Sequence, residues 1–207
     1  HAYDLLRNIR KDCLSAVLFE FNKAAKKVCE GQQMDMDFEC VKVVSENEYL
    51  KMIEYKTAVL IAISLKIGAI VGGSTQSEAE ILYNFGINMG LSFQIKDDLL
   101  DVFGQGNKIG KQIGGDILSA KKTILYVCSL EIADATTRKK LIDIYHGNNV
   151  TKVEEIKEIY NSLKIEYEVQ KKINDLHEKA MMSLDKIQNP KKNELVKFVE
   201  EINNRIV

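Results

Sequence analysis

Proline is almost absent from this sequence, since Pro190 is the only proline among 207 residues. Proline interrupts helices because it lacks a backbone N–H and clashes with the preceding turn, so its scarcity leaves long helices possible. The regular alternation of apolar and polar residues that is typical of a half-buried strand is also missing over any long stretch. The sequence therefore predicts an all-α fold.

An excess of one sign of charge is likewise absent. The chain has 29 lysines and arginines against 30 aspartates and glutamates, which gives a formal net charge of −1. Such a balance provides no reason to expect a nucleic acid or a membrane surface as a partner. Any charge that serves a function must therefore be concentrated locally.

Cysteine is scarce, and no two of the four cysteines have the C-x-x-C spacing. The sequence therefore predicts neither a disulfide framework nor a structural zinc site. We expect free, reduced and mostly buried thiols in a cytoplasmic protein, namely Cys13, Cys29, Cys40 and Cys128.

Long hydrophobic runs are missing as well. The longest extends from Ala58 to Leu65, contains Ser64 and stops at Lys66, whereas a helix needs roughly 20 apolar residues to cross a bilayer. We predict no transmembrane segment. With 45% apolar and 29% charged residues and no recognisable repeat or linker, residues 1–207 are predicted to form one helical domain.

Three positions fit the capping box, in which a Ser or Thr hydroxyl and a Glu three residues later satisfy backbone N–H groups at a helix start. They predict helices that begin near 46, 78 and 152. The pairs are Ser45 with Glu48, Ser77 with Glu80, and Thr151 with Glu154.

Two helices are predicted in the centre of the domain, from Asn47 to about Ile70 and from Ser77 to about Phe103. Both are apolar nearly all round, which is typical of helices surrounded by others. Gly86 and Gly90 lie four residues apart on one face of the second helix, where they would let a neighbouring backbone approach closely. Amphipathic helices from Leu14 to Glu30 and in the C-terminal third are predicted to be peripheral.

The most distinctive feature is acidic and lies near the end of the second central helix, in the run Gln94-Ile95-Lys96-Asp97-Asp98-Leu99-Leu100-Asp101. Asp97 and Asp101 share a helix face, and Asp98 lies about 100° further around the axis. Two carboxylates roughly 5 Å apart repel each other by about 3 kcal/mol at an effective dielectric of about 20, so a cation is expected there. Mg²⁺ suits such oxygens and often shares them with substrate phosphates. The alternative interpretation is a solvated acidic helix end.

A loop rich in glycine and lysine follows directly, with Lys108 and Lys111 among five glycines between 104 and 115. Glycines let backbone N–H groups approach an anion, so this loop could fold over phosphates that the carboxylates hold through metal. A P-loop is excluded because Gln112 stands where Ser or Thr is needed, and because the spacing from Gly104 to Gly110 is one residue too long. A flexible connection is the alternative.

Two weaker features lie in the first half of the chain. They are Gly31-Gln32-Gln33-Met34-Asp35, after a predicted helix, and Lys56-Thr57, within the first central helix. A lysine in an apolar helix commonly extends its ammonium to the surface, so each feature taken alone is better explained by structure than by function.

Together these segments resemble the trans polyprenyl diphosphate synthase family, from about Tyr3 to at least Lys122. The family's elements occur in the expected order and spacing. They are G-Q-x-x-D at Gly31, Gln32 and Asp35, K-T at Lys56-Thr57, the second aspartate-rich motif at Phe93 to Asp101, G-K at Gly110-Lys111, D-[IL] at Asp116-Ile117, and K-x-T at Lys121 to Thr123.

The resemblance implies a bundle of antiparallel helices around a deep cavity, usually in a homodimer. It also implies three Mg²⁺ ions held between two aspartate-rich motifs. In this sequence the ligands of the second motif would be Asp97, Asp98 and Asp101.

The implied reaction joins isopentenyl diphosphate head to tail to an allylic prenyl diphosphate through an allylic cation. The residues that would bind the allylic diphosphate are Lys56, Gln94, Lys111 and Lys121. Those that would stabilise the cation are Thr57, Gln94 and the carbonyl of Lys56, and Gln32 and Asp35 would be polar residues of the cavity.

The match also has gaps. The family's first aspartate-rich motif, its paired arginines and its isopentenyl diphosphate-binding elements have no counterpart in these residues. We therefore expect the 207 residues alone to be inactive, as the C-terminal part of a longer synthase domain. A noncatalytic partner subunit of a heteromeric synthase is the alternative. Terpene cyclases, a third class, usually have an asparagine- and glutamate-containing second motif, which is not found here.

Overall fold

The computed structural model describes residues 2–6, 8–104, 113–147, 149–189 and 191–204, and every regular element in those ranges is helical. The prediction of an all-α fold is therefore confirmed. In chain order the helices are α1 Ala2–Leu6, α2 Lys11–Glu39, α3 Glu46–Ile53, a π-helical turn Glu54–Ala58, α4 Val59–Val71, α5 Gln76–Phe103, α6 Gly115–Leu118, α7 Ile124–Ile132, α8 Ala135–Tyr145, α9 Lys152–Ser162, α10 Ile165–Leu184 and α11 Lys192–Asn204.

The starts of the helices agree with the sequence in part. At α3 the predicted capping box of Ser45 and Glu48 is present. At α5 the predicted box is wrong by two residues, because Thr75 and Glu78 form it, while Glu80 binds a lysine of α4 instead. Helix α9 begins next to Thr151 as predicted, but the Thr151 hydroxyl makes no capping bond and donates to Glu155.

Helix α5 is central and packs against α4 on one side and α10 on the other. Helices α4 and α5 are antiparallel, and they touch through small residues. A Cβ added at Gly90 would lie 2.5 Å from Ala58 Cα, and one added at Gly86 would lie 2.5 Å from Ala62 Cα. The predicted role of these two glycines in close backbone packing is therefore confirmed.

Helix α2 is longer than predicted and contains the Gly31–Asp35 segment, which was expected to follow a helix. Gly31 is buried, and a Cβ added there would lie 2.8 Å from the carbonyl carbon of Tyr55. The lack of a side chain at Gly31 lets α2 lie directly against the backbone of the π turn. This contact brings Asp35 next to the π turn.

The π turn interrupts what the sequence predicts as one continuous helix. The N–H of Val59 donates to the carbonyl of Glu54, five residues earlier, instead of four. Such single wide turns are rare in helices and frequently occur at functional sites. Here the turn carries Lys56 and Thr57.

A buried lysine joins the three long helices away from that turn. Lys66 of α4 is 3% exposed, and its Nζ lies 2.7 Å from Glu20 of α2 and 2.6 Å from Glu80 of α5. Because a buried charge needs partners, this triad fixes α2, α4 and α5 to one another. Cys13 and Cys128 are buried, whereas Cys29 and Cys40 are exposed, so the expectation of mostly buried thiols holds for only half of the free cysteines.

The glycine contacts lead to a matched pair of stability predictions. Gly90→Ala should lower the free energy of unfolding by about 2 kcal/mol, since the added methyl group has no room beside Ala58 and the helices must separate. Gly68→Ala, in α4, should raise it by up to about 1 kcal/mol, because a Cβ there meets nothing within 4 Å and alanine favours the helix. Urea unfolding of the two variants measures both effects. The same change in the free energy of unfolding for Gly90→Ala and Gly68→Ala would contradict the close contact between α4 and α5.

Candidate active site

Lysine and aspartate from two helices meet at the π turn. Lys56 Nζ lies 2.5 Å from Asp35 Oδ2, and the two side chains are 37% and 30% exposed. The predicted residues Lys56 and Asp35 are thus brought together, with both groups reachable from solvent. Gln32, one turn before Asp35 on α2, is exposed.

A chain of hydrogen bonds runs from the π turn into the interior. The Thr57 hydroxyl donates to Gln94 Oε1 at 3.0 Å, and Gln94 Nε2 donates to Asp98 Oδ1 at 3.1 Å. The predicted residues Thr57 and Gln94 are therefore in direct contact across α4 and α5. Gln94 is held in one amide orientation, since its oxygen accepts from Thr57 and its nitrogen faces a carboxyl group.

Asp98 lies at the inner end of this chain. It is 5% exposed, and its Oδ2 accepts from the Tyr49 hydroxyl at 2.7 Å and from the Ile124 N–H at 3.2 Å. Burial raises the pKa of Asp98 to about 7, against the three hydrogen bonds, which lower it. The carboxyl group is thus enclosed by protein donors, and its role as a metal ligand stays a prediction.

The other two aspartates of the run lie nearer the surface. Asp97 is exposed and Asp101 is half-buried, and Asp101 Oδ2 accepts from the backbone N–H of Asp116 at 3.0 Å. Burial raises the pKa of Asp101, and the negative charges of Asp116 and Asp97 raise it further. The hydrogen bond from the Asp116 N–H and the charge of Lys121 act in the opposite direction, and the like-charge crowding between Asp97 and Asp101 stays a prediction.

Lys121 stands beside this acidic surface. Its Nζ lies 2.7 Å from Asp116 Oδ1, and this hydrogen bond raises the pKa of Lys121. The charges of Asp35 and Asp101 also raise it, which places Lys121 within electrostatic range of both the π turn and the aspartate run. Lys111, the third predicted lysine, lies outside the described residues, as does the rest of the loop from 105 to 112.

Two residues of this arrangement were not singled out for a role from the sequence. Asp116 appeared there only as part of a motif, and Tyr49 not at all. Tyr49 lies 49 residues before Asp98, and an aromatic residue on a helix gives no local sign that its hydroxyl has a buried partner.

Magnesium suits the donors at this surface. Within the described ranges, no three His, Cys, Asp or Glu side chains are grouped as a complete protein cage for a metal ion. Mg²⁺ usually takes one or two carboxylates together with substrate phosphates and water, so neighbouring aspartates at the surface fit it. In the same part of the chain, no helix is long and apolar enough to cross a membrane.

Comparison with known proteins gives a consistent result. A family model described as Polyprenyl synthetase matches residues 1–163. The chain is 44% identical over 153 residues to a short chain isoprenyl diphosphate synthase of Methanocaldococcus jannaschii, covering 73% of this chain and 46% of that protein. It is 39% identical over 154 residues to a geranylgeranyl diphosphate synthase of Saccharolobus solfataricus, covering 72% and 46%.

Solved structures agree with the sequence matches. The crystal structure of a geranylgeranyl pyrophosphate synthetase from Pyrococcus horikoshii matches with a TM-score of 0.87 at 29% identity, over 96% of this chain and 62% of that one. A geranylgeranyl pyrophosphate synthase matches with a TM-score of 0.88 at 36% identity, over 100% and 65%. The chain spans about half the length of the curated relatives that it matches.

Proposed function

Because the chain belongs to the polyprenyl synthetase family, we propose that it forms one wall of the active site of a prenyl diphosphate synthase. The substrates of that enzyme are isopentenyl diphosphate and an allylic prenyl diphosphate, joined head to tail. The observation that carries the proposal is the meeting of Lys56, Thr57 and Gln94 at a π turn, beside Lys121 and the exposed Asp97.

The lysines bind the allylic diphosphate in this proposal. Lys56 and Lys121 are paired with Asp35 and Asp116, so each ammonium is held in position before the substrate arrives. When the diphosphate binds, its oxygens replace these carboxylates as the partners of the two lysines. The lysines then stabilise the negative charge that develops on the diphosphate as it leaves. Lys111 remains a predicted third ligand of the diphosphate.

Asp97 and Asp101 hold magnesium in this proposal, and Asp98 supports them from the interior. When bound, Mg²⁺ neutralises diphosphate oxygens and makes the diphosphate a better leaving group. Asp98 has its oxygens occupied by Tyr49, Gln94 and Ile124, so its contribution is to fix the helix that presents the other two.

Thr57 and Gln94 stabilise the allylic cation in this proposal. The Thr57 hydroxyl hydrogen is directed to Gln94 Oε1, which leaves lone pairs of the hydroxyl oxygen for a positive centre. Asp98 accepts a hydrogen bond from the Gln94 amide nitrogen, so the amide oxygen stays on the side of the π turn. A homodimer and a cytoplasmic location remain predictions.

The test is the intact mass of the natural gene product, combined with a magnesium-dependent assay for radiolabelled isopentenyl diphosphate entering prenyl products. A mass close to that of the full-length relatives, together with activity, supports the proposal. A natural product of 23.5 kDa that is inactive alone but changes the products of another synthase would favour the partner-subunit alternative.

Lys56→Met tests the site within that assay. The change should reduce turnover by about 10²-fold or more, because a preorganised charge at the leaving group is lost. Lys23→Met, at an exposed position of α2, is the matched control and should leave turnover unchanged. Equal activity of the two variants would exclude Lys56 from the reaction.

A further inference from the structure

A second group of cationic side chains lies apart from the lysines of the proposed active site. It consists of Lys42, Lys122, His146 and Lys152, which we call the basic cluster. Its members come from the segment after α2, the segment before α7, the end of α8 and the start of α9. None of the four was given a role from the sequence, and the proposed function does not use them.

Two lysines of the basic cluster have buried side chains and make no ion pair among the described residues, although the negative charge of Glu39 acts on Lys122. Lys122 is 6% exposed and its Nζ donates to the carbonyl of Ala120 at 2.9 Å, while Lys152 is 4% exposed and its Nζ lies 5.5 Å from the Tyr145 ring centroid. Neither makes an ion pair with any residue in the described part of the chain. Buried lysine side chains are usually paired, and Lys152 Nζ is not among the fully enclosed polar atoms without a hydrogen bond, so an anion can reach it.

The positive charges of the basic cluster also act on one another. Burial lowers the pKa of Lys122, and the charge of Lys152 lowers it further, with Glu39 and Cys40 acting in the opposite direction. Burial likewise lowers the pKa of His146. The hydrogen bond to the Lys42 carbonyl acts in the opposite direction, and the charges of Lys122, Lys42 and Lys152 lower the pKa further. Lys152 is the first residue of α9, whose N-terminal dipole adds positive potential at the same place.

Aromatic rings pack against the basic cluster. The rings of Tyr126 and Tyr145 stack with centroids 4.0 Å apart, and the ring of His146 lies edge-on to both. The Tyr126 hydroxyl donates to the carbonyl of Lys42 at 2.9 Å. His146 Nε2 lies 3.4 Å from the same carbonyl and 3.4 Å from the Tyr126 hydroxyl oxygen.

We propose that the basic cluster is a binding site for a phosphate group. A phosphate carries the charge that both buried lysines lack, and its several acceptor oxygens can receive hydrogen bonds from more than one ammonium. A carboxylate offers fewer acceptors and a single charge, so it suits this site less well. The phosphate could belong to a free anion, such as phosphate or diphosphate, or to a lipid headgroup.

This phosphate site lies next to a residue of the proposed active site. Lys122 directly follows Lys121, and the Tyr145 hydroxyl donates to the carbonyl of Lys121 at 2.6 Å. An anion that draws Lys122 and Lys152 together therefore acts on the same short segment that positions Lys121.

The test is a thermal unfolding series in metal-free buffer with increasing inorganic phosphate. The midpoint should rise with phosphate, and the pKa of His146, followed by NMR, should rise with it, since a bound anion favours the imidazolium. The groups that face His146 are Lys42, Lys122, Tyr126, Tyr145 and Lys152.

Lys152→Met tests whether the basic cluster is responsible for the binding of phosphate. This variant keeps the buried aliphatic chain and removes the charge, so without phosphate it should be as stable as the parent or more stable. Its apparent Kd for phosphate should be at least tenfold higher, and the phosphate-induced shift of the His146 pKa should disappear. Lys179→Met, at an exposed position of α10, is the matched control and should bind as the parent does.

Further variants and probes distinguish the basic cluster from a second anion site and identify the source of the phosphate. Loss of phosphate binding in Lys121→Met, with binding by Lys152→Met intact, would place the anion in the proposed active site and overturn the assignment. Binding of Lys152→Met with parent affinity would overturn it as well. If free phosphate and diphosphate raise the unfolding midpoint, the ligand is a soluble anion. If only vesicles that contain phosphatidic acid raise it, the ligand is a lipid headgroup. No response to any of these probes refutes the site.

Discussion

Replacing Asp98 with alanine should lower the free energy of unfolding at pH 7 by about 3 kcal/mol, because two buried donors and one part-buried donor lose their acceptor at once. These donors are the Tyr49 hydroxyl, the Gln94 amide and the backbone N–H of Ile124. They belong to α3, α5 and the first residue of α7, so the loss affects the packing of three helices. Urea unfolding followed by circular dichroism measures the change.

Asp98→Asn is the matched control for this prediction. The asparagine oxygen can accept from Tyr49 and Ile124, while its amide nitrogen donates to Gln94 once the Gln94 amide has turned over. The Thr57 hydroxyl can then accept from the turned amide, so every group remains paired. Asp98→Asn should therefore be much more stable than Asp98→Ala. Equal losses in the two variants would show that the hydrogen bonds of Asp98 do not hold the helices together.

The pH dependence of stability tests independently whether the Asp98 carboxyl group is protonated in the folded protein. Burial raises the pKa of Asp98 to about 7, whereas an unfolded aspartate has a pKa of about 3.9. Between these values the folded chain retains a proton that the unfolded chain has released. The contribution of Asp98 is therefore fully present below pH ~4 and is lost as the pH rises through ~7, with a slope of up to about 1.4 kcal/mol per pH unit.

Asp98→Asn should remove this contribution, because asparagine does not titrate. The difference in unfolding free energy between the parent and Asp98→Asn should thus change steadily from pH 4 to pH 7 and then level off. A constant difference over that range would mean that Asp98 is ionised in the folded protein throughout.

The sequence predicts the fold well because the features that determine it are local. The end of α5 at Phe103 and the tight contacts of Gly86 and Gly90 follow from helical spacing and from the small size of glycine. The family resemblance is confirmed for the same reason, since its motifs are short and lie on consecutive helices. Even the error at the start of α5 has a local cause, because Thr75-x-x-Glu78 and Ser77-x-x-Glu80 fit the same capping pattern.

The details of the candidate site depend on partners that are distant in sequence. The π turn at Lys56 lies against Gly31 of α2, and nothing within residues 54–58 indicates the extra residue in the turn. The burial of Asp98 depends on Tyr49 and Ile124, 49 residues before it and 26 residues after it. Helical spacing places Asp98 about 100° around the axis from Asp97, but it does not show whether its side chain meets solvent, metal or protein.

Replacing Asp97 with alanine in the natural gene product should reduce prenyl transfer by about 10²-fold or more while leaving the helices intact, if this residue holds magnesium as proposed. Asp97 is exposed at the end of α5 and raises the pKa of Asp101, so its removal relieves a repulsion between like charges. The far-ultraviolet circular dichroism spectrum and the urea midpoint should therefore match those of the parent.

The magnesium dependence separates a metal ligand from a residue that only shapes the surface. With one carboxylate fewer, the magnesium concentration that gives half-maximal turnover should rise, and excess magnesium should restore part of the lost rate. Asp175→Ala, at an exposed position of α10, removes the same charge away from the proposed site and should change neither quantity. Reduced turnover with an unchanged magnesium requirement would assign Asp97 to the substrate and not to the metal, and unchanged turnover would exclude it from both.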